Sequence, residues 1–488
     1  MNLHDLMNGF ANKTILHSLP CTFVRGITDT SKNVQPGFLF VAIKGYKADG
    51  HSYIPDAIEK GAIAIVGEDD IPSLSVPYIR VNNSRQILGR LAKRFYKHPS
   101  SRKTIIGITG TNGKTTISYL LKHIFEQNGL SCALMGTIKN VINQKELSSF
   151  NTTPNVLVVN ELLVQSQDDV VIMEISSHGL AQYRLEGIQF DCCVFTNLSR
   201  DHLDYHGSMD QYFQAKAELF NKMKDHGTAV INIGDSWGEK LSAGLRKRGS
   251  RVCSVGAAPY ADIRLEELLP QRAKVKVVDQ QRKQTNIQFT MAGTHNLYNA
   301  VLTFAAARQL KLTNEQILPA IQKFSGVSGR FERLACKQGV TVIVDYAHTA
   351  DGIFHCLRTA KQCGAKRIIH VFGFRGNRDE GKREEMIRVS AEWSDKYILT
   401  LDDLNSVPHN EMVESLVLLN ERAGRRHGMV IPDRTEAIRY ALDQSSEGDW
   451  IIVTGKGHEK YQQSYSLPTV CDKDTIMYLK DWKGRRQF

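Results

Sequence analysis

The sequence has no long hydrophobic run. No apolar stretch in its 488 residues approaches the roughly 20 that span a bilayer, so a membrane-spanning helix is not expected. The first residues, MNLHDLMNGFANK, contain an early aspartate and have neither a basic lead nor an apolar core, unlike a secretory signal peptide. We therefore predict a cytoplasmic protein with no membrane span.

Paired cysteines are also missing. The nine cysteines are scattered, with no CxxC pair and no zinc-type spacing, which is typical of free buried thiols. Low-complexity segments and internal repeats are absent too, so a repeat architecture is not expected. The composition that remains, 42% hydrophobic and 23% charged, is that of a globular protein.

Charge is the strongest bias in the composition. The net charge is +11, and such a field attracts nucleic acid, an anionic membrane or a polyanionic small substrate. No basic stripe interleaved with aromatic residues is present, and the basic tail LKDWKGRRQF is typical of a solvated end. We therefore predict no nucleic-acid partner.

The length predicts several domains, because single hydrophobic cores stop growing near 250 to 300 residues, roughly. Two segments rich in small and polar residues interrupt the alternating strand and helix patterns: KHPSSRK (97–103) and FSGVSGRFER (324–333). They divide the chain into three predicted domains, residues 1–98, 99–328 and 329–488.

The third predicted domain has the clearest pattern. VTVIVDYA, KRIIHVFGF, KYILTLDD, GMVIPD and DWIIVTGKG are short apolar runs, and a segment of helical period follows each of the first four. This alternation predicts a doubly wound α/β domain with a parallel sheet. Ligands of such sheets bind beyond the carboxyl ends of the strands, which is where Asp402 and Asp403 fall.

The strongest motif is TIIGITGTNGKTTISYLLKHIF (104–125), an apolar strand, a glycine-rich loop and an amphipathic helix. Backbone N–H groups of such a loop cradle phosphate, a lysine reaches the terminal phosphates and a threonine binds Mg²⁺. The Walker spacing is not met, because Ile108 stands where its first glycine would be. The predicted ATP-binding residues here are Gly110, Thr111, Asn112, Gly113, Lys114, Thr115 and Thr116.

Two further segments carry acidic residues and histidines. VVIMEISSHGL (170–180) is a second buried strand ending in Glu174, which suits a carboxylate that helps to hold Mg²⁺ or a structural one. NLSRDHLDYHG (197–207) gathers two histidines and two aspartates. Its spacing fits a transition-metal cluster and a hydrogen-bonded loop equally well.

Ten motifs in one order resemble those of the Mur ligases, and within that family the tripeptide synthetases. The segment SKNVQPGFLFVAIKGYKADGH (31–51) resembles the family's uridine-binding domain, so the similarity covers essentially the whole chain. The ten motifs are GTNGKTT, NTTPN, MEISSHGLAQYR, NLSRDHLDYHG, YFQAKAELF, GTHNLYN, GRFER, DYAHT, GNRDEGKR and GKGHEKYQ.

The resemblance implies a three-domain α/β fold: a small UDP-binding domain, a central P-loop ATPase-type parallel-sheet domain and a C-terminal Rossmann-like domain. It implies an ATP-dependent ligase of peptidoglycan precursor synthesis, acting as a monomer on a UDP-muramoyl dipeptide, ATP and an amino acid. The substrate carboxylate would become an acyl phosphate, which the incoming amino group attacks.

The resemblance also assigns metal ligands and substrate contacts. Two Mg²⁺ sites are implied, with ligands Thr115, Glu174, His202 and a carbamoylated Lys216. By residue pattern alone, Lys216 would be a solvated helical lysine. Further nucleotide contacts would be His295, Asn296, Asn299, Arg330, Asp345 and His348. The contacts to the muramoyl nucleotide and the amino acid would be Ser31, Thr152, Thr153, Ser176, Gln182, Arg184, Arg383, Asp402, Asp403, Asn405, Gly455 and Glu459.

The identity of the added amino acid depends on residues 402–405. Relatives that add meso-diaminopimelate carry Asp-Asn-Pro-Arg there, and the arginine binds the distal carboxylate; this chain has Asp-Asp-Leu-Asn. Asn405 cannot form that bidentate pair, and an acidic Asp403 attracts an ammonium group. The sequence therefore favours L-lysine, although Arg375 is an extra charge close by. A paralogue that adds a different amino acid in a secondary pathway is the alternative.

Other classes of function explain less of the chain. A P-loop kinase or motor ATPase accounts for residues 104–125 alone. A scaffold without activity would be expected to have lost Lys114, Glu174, His202 or Lys216, and all four are present. A folylpolyglutamate synthetase would lack the uridine-type first domain.

Overall fold

The computed structural model describes residues 1–10, 16–17, 19–45, 48–335, 339–424 and 427–485. The described residues form two compact units. The first comprises Met1–Gly107, Leu130–Cys193 and Ala215–Gly227, and the second comprises Ile108–Gly129, Val194–Gln214 and Thr228–Phe488. Eight cysteines are free, as predicted, and Cys336 lies outside the described residues. Within the described ranges, no helix has the length and apolarity that crossing a bilayer requires.

A small parallel sheet lies near the amino terminus, in the order β1-β2-β3-β4. Leu39 and Val41 pack into one hydrophobic cluster and Phe40 into another, because successive strand residues face opposite sides of a sheet. The strands are β1 (Gly26–Thr28), β2 (Phe38–Val41), β3 (Ala62–Gly67) and β4 (Tyr78–Arg80), and the helices are α1 (Leu3–Met7), α2 (Ile54–Glu59) and α3 (Ser84–Phe95).

The second sheet comprises the strands β5 (Thr104–Thr109), β6 (Cys132–Met135), β7 (Lys139–Ile142), β8 (Lys145–Ser148), β9 (Val170–Glu174), β10 (Phe190–Phe195), β11 (Met223–Asn232), β12 (Arg251–Gly256), β13 (Ile263–Leu269), β14 (Lys274–Asp279) and β15 (Gln284–Gln288). Their order is β15-β14-β13-β12-β11-β10-β5-β9-β6-β7-β8. Parallel pairs such as β6 with β9 and β11 with β12 lie in its middle, and antiparallel strands extend it at both ends.

The helices that accompany the second sheet begin with α4, which follows the glycine-rich loop. They are α4 (Lys114–Gln127), α5 (Val156–Gln165), α6 (Ser177–Ala181), α7 (Leu203–His206), α8 (Met209–Ala217), α9 (Ser236–Lys247), α10 (Thr294–Gln309) and α11 (Asn314–Lys323).

The third sheet confirms the predicted doubly wound arrangement. Its order is β16-β17-β21-β18-β19-β20, and every neighbouring pair except β16 with β17 is parallel. Its strands are β16 (Glu332–Ala335), β17 (Thr341–Asp345), β18 (Ile368–Phe374), β19 (Lys396–Leu401), β20 (Gly428–Val430) and β21 (Trp450–Thr454). Its helices are α12 (Ala350–Gln362), α13 (Arg383–Trp393), α14 (His409–Ala423), α15 (Arg434–Asp443) and α16 (Asp472–Arg485). Because these strands are parallel, the segments after β17, β18, β19 and β21 meet at one edge.

A buried ion pair joins α15 to α16 behind that edge. Arg434 and Asp472 are both fully buried, and the guanidinium donates two hydrogen bonds to the carboxylate at 2.7 and 2.8 Å. Arg434 also donates to the carbonyl oxygen of Thr454, and the hydroxyl of Tyr461 donates to Asp472. Burial opposes the charge of Arg434, but Asp472 nevertheless raises the pKa of the guanidinium.

We expect Arg434→Met to destabilise the protein by about 3–5 kcal/mol, because it leaves Asp472 charged and buried without its partner. Denaturant unfolding followed by tryptophan fluorescence measures the effect. Arg439→Met on the same helix is the control: Arg439 forms an ion pair with Glu436 at the surface, and its loss should cost less than about 1 kcal/mol. Equal shifts in the two variants would contradict the assigned role.

Candidate functional site

The glycine-rich loop of residues 110–113 has a backbone that requires glycine at both ends. Gly110 has φ +145° and Gly113 has φ +88°, conformations that other residues rarely adopt. A side chain at Gly110 would place its first carbon 1.8 Å from the hydroxyl of Thr196, and one at Gly113 would place it 2.4 Å from the amide oxygen of Asn299. Glycine at both ends therefore lets the loop backbone approach its neighbours closely before α4, as a phosphate cradle requires.

Hydrogen bonds fix this loop. The backbone N–H groups of Thr111 and Asn112 donate to the carbonyl and side-chain oxygens of Asn197, both at 2.9 Å. The ammonium group of Lys114 donates to the carbonyls of Gly110 and Thr111, at 3.0 and 2.9 Å. Lys114 thus lies against the glycine-rich loop, as the sequence predicts.

Residues much later in the second unit reach the same loop. The guanidinium of Arg330 donates to the hydroxyl of Thr115 at 3.2 Å, and the side-chain amide of Asn112 donates to Asp351 at 2.9 Å. Arg330 was predicted from the sequence. Asp351 was not, because a lone aspartate in the first turn of α12 looks like an ordinary helix-start residue.

A buried aspartate gathers three basic side chains beside the loop. Asp201 lies 3.0 Å from Lys382, 3.3 Å from His202 and 3.5 Å from His348. Burial opposes ionisation of Asp201, but the two histidines and the lysine outweigh it and hold its pKa well below the usual value. Predicted residues His202 and His348 are therefore brought together by an aspartate that had no assigned role.

The segment 197–207 is a hydrogen-bonded loop and not a cluster of four metal ligands. Asp204 is exposed, while His206 is buried and its ring packs against Tyr205 and Tyr212. Among the described residues, the one group with ligand atoms close enough to share a metal ion is Asp49, His51 and Asp69.

His295 lies half-buried in α10, close to Asn296 and Asn299. Burial, with a smaller contribution from His355, lowers the pKa of His295 to about 3, so the imidazole is neutral. Its Nδ1 has no hydrogen-bond partner among the described residues. A neutral ring with an unused nitrogen suits a nucleotide base, which offers donors and acceptors but no charge.

The acidic pair after β19 has a counter-ion that the sequence did not suggest. The ammonium group of Lys456, which is buried, lies 2.6 Å from Asp403 and 3.2 Å from Asp402. Burial opposes ionisation of Asp402, but Lys456 and more distant arginines hold its pKa below the usual value. A lysine that follows β21 thus supplies one positive charge to the two carboxylates, and Arg375 lies 3.9 Å from each of them.

The other residues predicted to hold the amino acid line the same edge. Gly455 has φ +108° and lies beside the carboxylate of Asp402. Glu459 accepts a hydrogen bond from the guanidinium of Arg375. Arg383 is buried and donates to the carbonyl of Arg375 at 3.3 Å.

The first unit brings together most of the residues predicted to hold the muramoyl nucleotide. The hydroxyl of Thr153 donates to the carbonyl of Glu174 at 3.0 Å and accepts from the N–H of Ser176 at 2.9 Å. Arg184 donates to the carbonyl of Thr153 at 2.7 Å and to the side-chain oxygen of Gln182. These hydrogen bonds hold the polar side chains together at the carboxyl end of β9.

Ser31 and Thr152 extend that set within the first unit. The amide of Asn155 donates to Asp29 at 3.0 Å, which joins the NTTPN segment to the segment that carries Ser31. The hydroxyl of Thr137 donates to the carboxylate of Glu174 at 2.8 Å and lies 3.1 Å from the hydroxyl of Thr152. Thr137 was not predicted.

The four predicted metal ligands divide between the units. Glu174 and Lys216 belong to the first, and Thr115 and His202 to the second. Glu174 is fully buried and Lys216 is only 2% exposed, so the lysine is not the solvated residue that its local pattern suggests. A buried anion and hydroxyl oxygens suit Mg²⁺, which prefers oxygen ligands.

Three family models match successive parts of the chain. Residues 24–96 match "Mur ligase family, catalytic domain", residues 108–307 match "Mur ligase middle domain", and residues 329–457 match "Mur ligase, glutamate ligase domain".

Curated relatives align over nearly the whole chain. A protein of Caldanaerobacter subterraneus subsp. tengcongensis is 37% identical over 470 residues, which is 95% of each chain. One of Lactiplantibacillus plantarum is 35% identical over 477 residues, again 95% of each. Both are named UDP-N-acetylmuramoyl-L-alanyl-D-glutamate–2,6-diaminopimelate ligase.

Solved structures agree. A structure described under that same ligase name is 28% identical and superposes with a TM-score of 0.66 over 95% of both chains. A MurF ligase from Thermotoga maritima in complex with ADP is 18% identical, has a TM-score of 0.64 over 95% of this chain and 99% of its own, and shows the shared fold. The three family matches and the full-length relatives place this chain in the Mur ligase family of enzymes.

Proposed function

We propose that the protein joins a diamino acid to the D-Glu carboxylate of UDP-MurNAc-L-Ala-D-Glu, with ATP as the energy source. The observation that carries this proposal is the glycine loop closed by Lys114, in a chain that aligns over 95% of its length with ligases of that name. The proposal assigns the muramoyl nucleotide, ATP and the amino acid to residues 1–98, 99–328 and 329–488, respectively.

The reaction has two steps. An oxygen of the D-Glu carboxylate attacks the terminal phosphorus of ATP, the bond to ADP breaks and an acyl phosphate forms. The amino group then attacks the acyl carbon, loses a proton, and expels inorganic phosphate as the amide forms. Phosphoryl transfer needs neutralisation of charge more than covalent help, and Lys114 supplies a fixed positive charge at the loop.

Further nucleotide contacts follow from the same assignment. Arg330 bonds Thr115 and Asn299 lies against Gly113, so both are at the phosphate loop, and His295 and Asn296 are assigned to the nucleotide beside them. Asp345 ends β17, His348 follows it, and the two complete the set; His348 also contacts Asp201.

Magnesium would be held by Thr115, Glu174, His202 and Lys216. The metal would neutralise charge that develops on the transferring phosphoryl group. Lys216 is buried, and carbon dioxide can convert its ammonium group to a carbamate with release of two protons, which turns a cation into an anionic oxygen ligand. We therefore propose that Lys216 is carbamoylated in the active enzyme.

The muramoyl nucleotide would be bound by Ser31, Thr152, Thr153, Ser176, Gln182 and Arg184 in the first unit. Arg184 is the one cation of this set, which suits a substrate that carries a diphosphate. Lys32 stands where the family usually has an arginine, so the diphosphate there would meet a point charge and not a planar fork.

Two acceptors remain for the amino-acid site. The acidic pair at 402 and 403 favours L-lysine, but Lys456 already pairs with both carboxylates and Arg375 lies 3.9 Å from each, which reduces their attraction for a second ammonium group. The names of the relatives favour 2,6-diaminopimelate. We place diaminopimelate first and keep lysine as the second candidate.

Purified protein, ATP and Mg²⁺ test the proposal. Phosphate release should require both the UDP-muramoyl dipeptide and a diamino acid, and mass spectrometry should find the dipeptide heavier by one amino-acid residue. ATP turnover without either partner would indicate a kinase or motor ATPase. No turnover with any diamino acid would overturn the peptidoglycan assignment.

A further inference from the structure

Arg375 and Glu459 form an ion pair at the carboxyl edge of the third sheet that remains open to a ligand. One Nη of Arg375 donates to the carboxylate of Glu459, and the two side chains are 24% and 27% exposed. The Nε of Arg375 lies 3.9 Å from both Asp402 and Asp403 and has no hydrogen-bond partner among the described residues. The guanidinium therefore has one unused donor, its Nε, and its partner, the carboxylate of Glu459, is partly exposed to solvent.

The backbone on either side of this arginine is fixed by the neighbouring loop. The side-chain amide of Asn405 donates to the carbonyl of Gly376 at 2.9 Å, and that of Asn377 donates to the carbonyl of Asn405 at 2.6 Å. A side chain at Gly376 would put its first carbon 2.0 Å from the carbonyl oxygen of Leu404. Two loops thus pack backbone to backbone, and Asn405 is used to hold them together. Arg375, next to Gly376, is held over the end of β19 as a result.

The charges around Arg375 leave it available for exchange. Lys456 is the hydrogen-bonded cation of Asp402 and Asp403, whereas Arg375 approaches them no closer than 3.9 Å and is hydrogen-bonded to Glu459 instead. Its close partner is Glu459, and the ring of Tyr346, 5.7 Å away, flanks the guanidinium. A ligand group that carries an ammonium and a carboxylate on one carbon offers both partners at once. Glu459 can take the ammonium while Arg375 takes the carboxylate in a bidentate contact, so neither protein charge is left unpaired.

We propose that Arg375 determines which amino acid the enzyme accepts. When an acceptor binds whose side chain ends in both an ammonium and a carboxylate group, Arg375 leaves Glu459 and pairs with that distal carboxylate. Diaminopimelate belongs to this class and lysine does not. The inference rests on the proposed function, since it concerns the acceptor of the same ligation. It assigns to Arg375 the carboxylate contact that position 405 does not provide.

Three acceptors and two variants test the exchange. Diaminopimelate carries both distal groups, lysine only the ammonium, and L-2-aminopimelate only the carboxylate. Arg375→Gln should raise the KM for diaminopimelate and aminopimelate at least about thirtyfold and leave that for lysine within about threefold. Glu459→Gln should raise the KM for diaminopimelate and lysine and spare aminopimelate. Arg388→Gln is the control, because Arg388 lies on α13 after the same loop and pairs at the surface with Glu384.

Lysine turnover also reports that Arg375→Gln has folded. A wild-type enzyme that uses lysine and rejects diaminopimelate would overturn the inference, and so would equal increases in KM for the two acceptors. Calorimetric titration with diaminopimelate separates the two proposals. Binding that depends on Arg375 without any turnover would contradict the proposed function alone, whereas equal binding by wild type and Arg375→Gln would contradict the inference.

Discussion

Lys114→Met is expected to slow amino-acid-dependent phosphate release about a thousandfold, as loss of one preorganised electrostatic group does in other enzymes. Lys114 is the single cation of the GTNGKTT segment, and its ammonium group lies within 3.0 Å of two loop carbonyls. Without it, negative charge that moves onto ADP and the acyl phosphate loses a fixed positive partner at the loop. The loss should fall mainly on kcat, because the charge is needed most in the transition state.

Lys122→Met is the matched control for this prediction. Lys122 lies on the same helix, α4, and forms an ion pair with Glu126 one turn away. Since such pairs contribute little, its rate should stay within about twofold of wild type. If Lys114→Met kept more than about a tenth of the wild-type rate, the assigned role of the loop would be wrong.

The third sheet is the part of the fold that the sequence predicts best. Its five parallel strands are continuous apolar runs, because both faces of a doubly wound sheet are covered by helices. Most strands of the first and second sheets have no counterpart among the predicted strands, and some at sheet ends carry no signal at all. In β8, for instance, all four residues from Lys145 to Ser148 are exposed, so no burial pattern marks them as a strand. A strand of this kind exists because of its hydrogen bonds to β7.

The acidic pair at 402 and 403 shows why a site is harder to predict than a strand. Its counter-ion, Lys456, lies 53 residues from Asp403 in the sequence and meets it through the placement of β21 beside β18. Strand order is decided by crossover connections, which no local pattern reports. The sequence shows the two negative charges but not the lysine that pairs with them. The predicted preference for L-lysine as the acceptor depended on the absence of such a counter-ion.

Lys216 is the opposite case. Its local pattern, on a polar helix of low amphipathicity, predicts a solvated side chain, whereas the structure buries it almost completely. Only the family resemblance pointed to it, because a chemical modification leaves no trace in residue spacing. Asp351 and Thr137 carried neither signal, since each looks like an ordinary helix-start or loop residue, whereas Asp201 belonged to the NLSRDHLDYHG segment but had no role of its own.

Lys216→Ala is expected to reduce ligase activity more than about a hundredfold and to recover part of it with short-chain carboxylic acids. Loss of groups that only support a metal ligand costs about 10- to 100-fold, so loss of a ligand itself should exceed that. The truncated side chain leaves space in a buried site, and formate or acetate can place a carboxylate where the carbamate would be. Initial rates over a series of acid concentrations measure the recovery.

Two variants make this recovery specific. Lys216→Arg keeps the positive charge and fills the space, so it should be inactive and should not respond to the acids. Lys114→Met should not respond either, because the acids supply an anion and the phosphate loop lacks a cation. Removal of dissolved carbon dioxide should lower wild-type activity, and bicarbonate should restore it, as a carbamate in equilibrium with carbon dioxide requires. Undiminished activity of Lys216→Ala would rule out the proposed ligand, whereas low activity that no acid restores would make the lysine essential as an ammonium group and not as a carbamate.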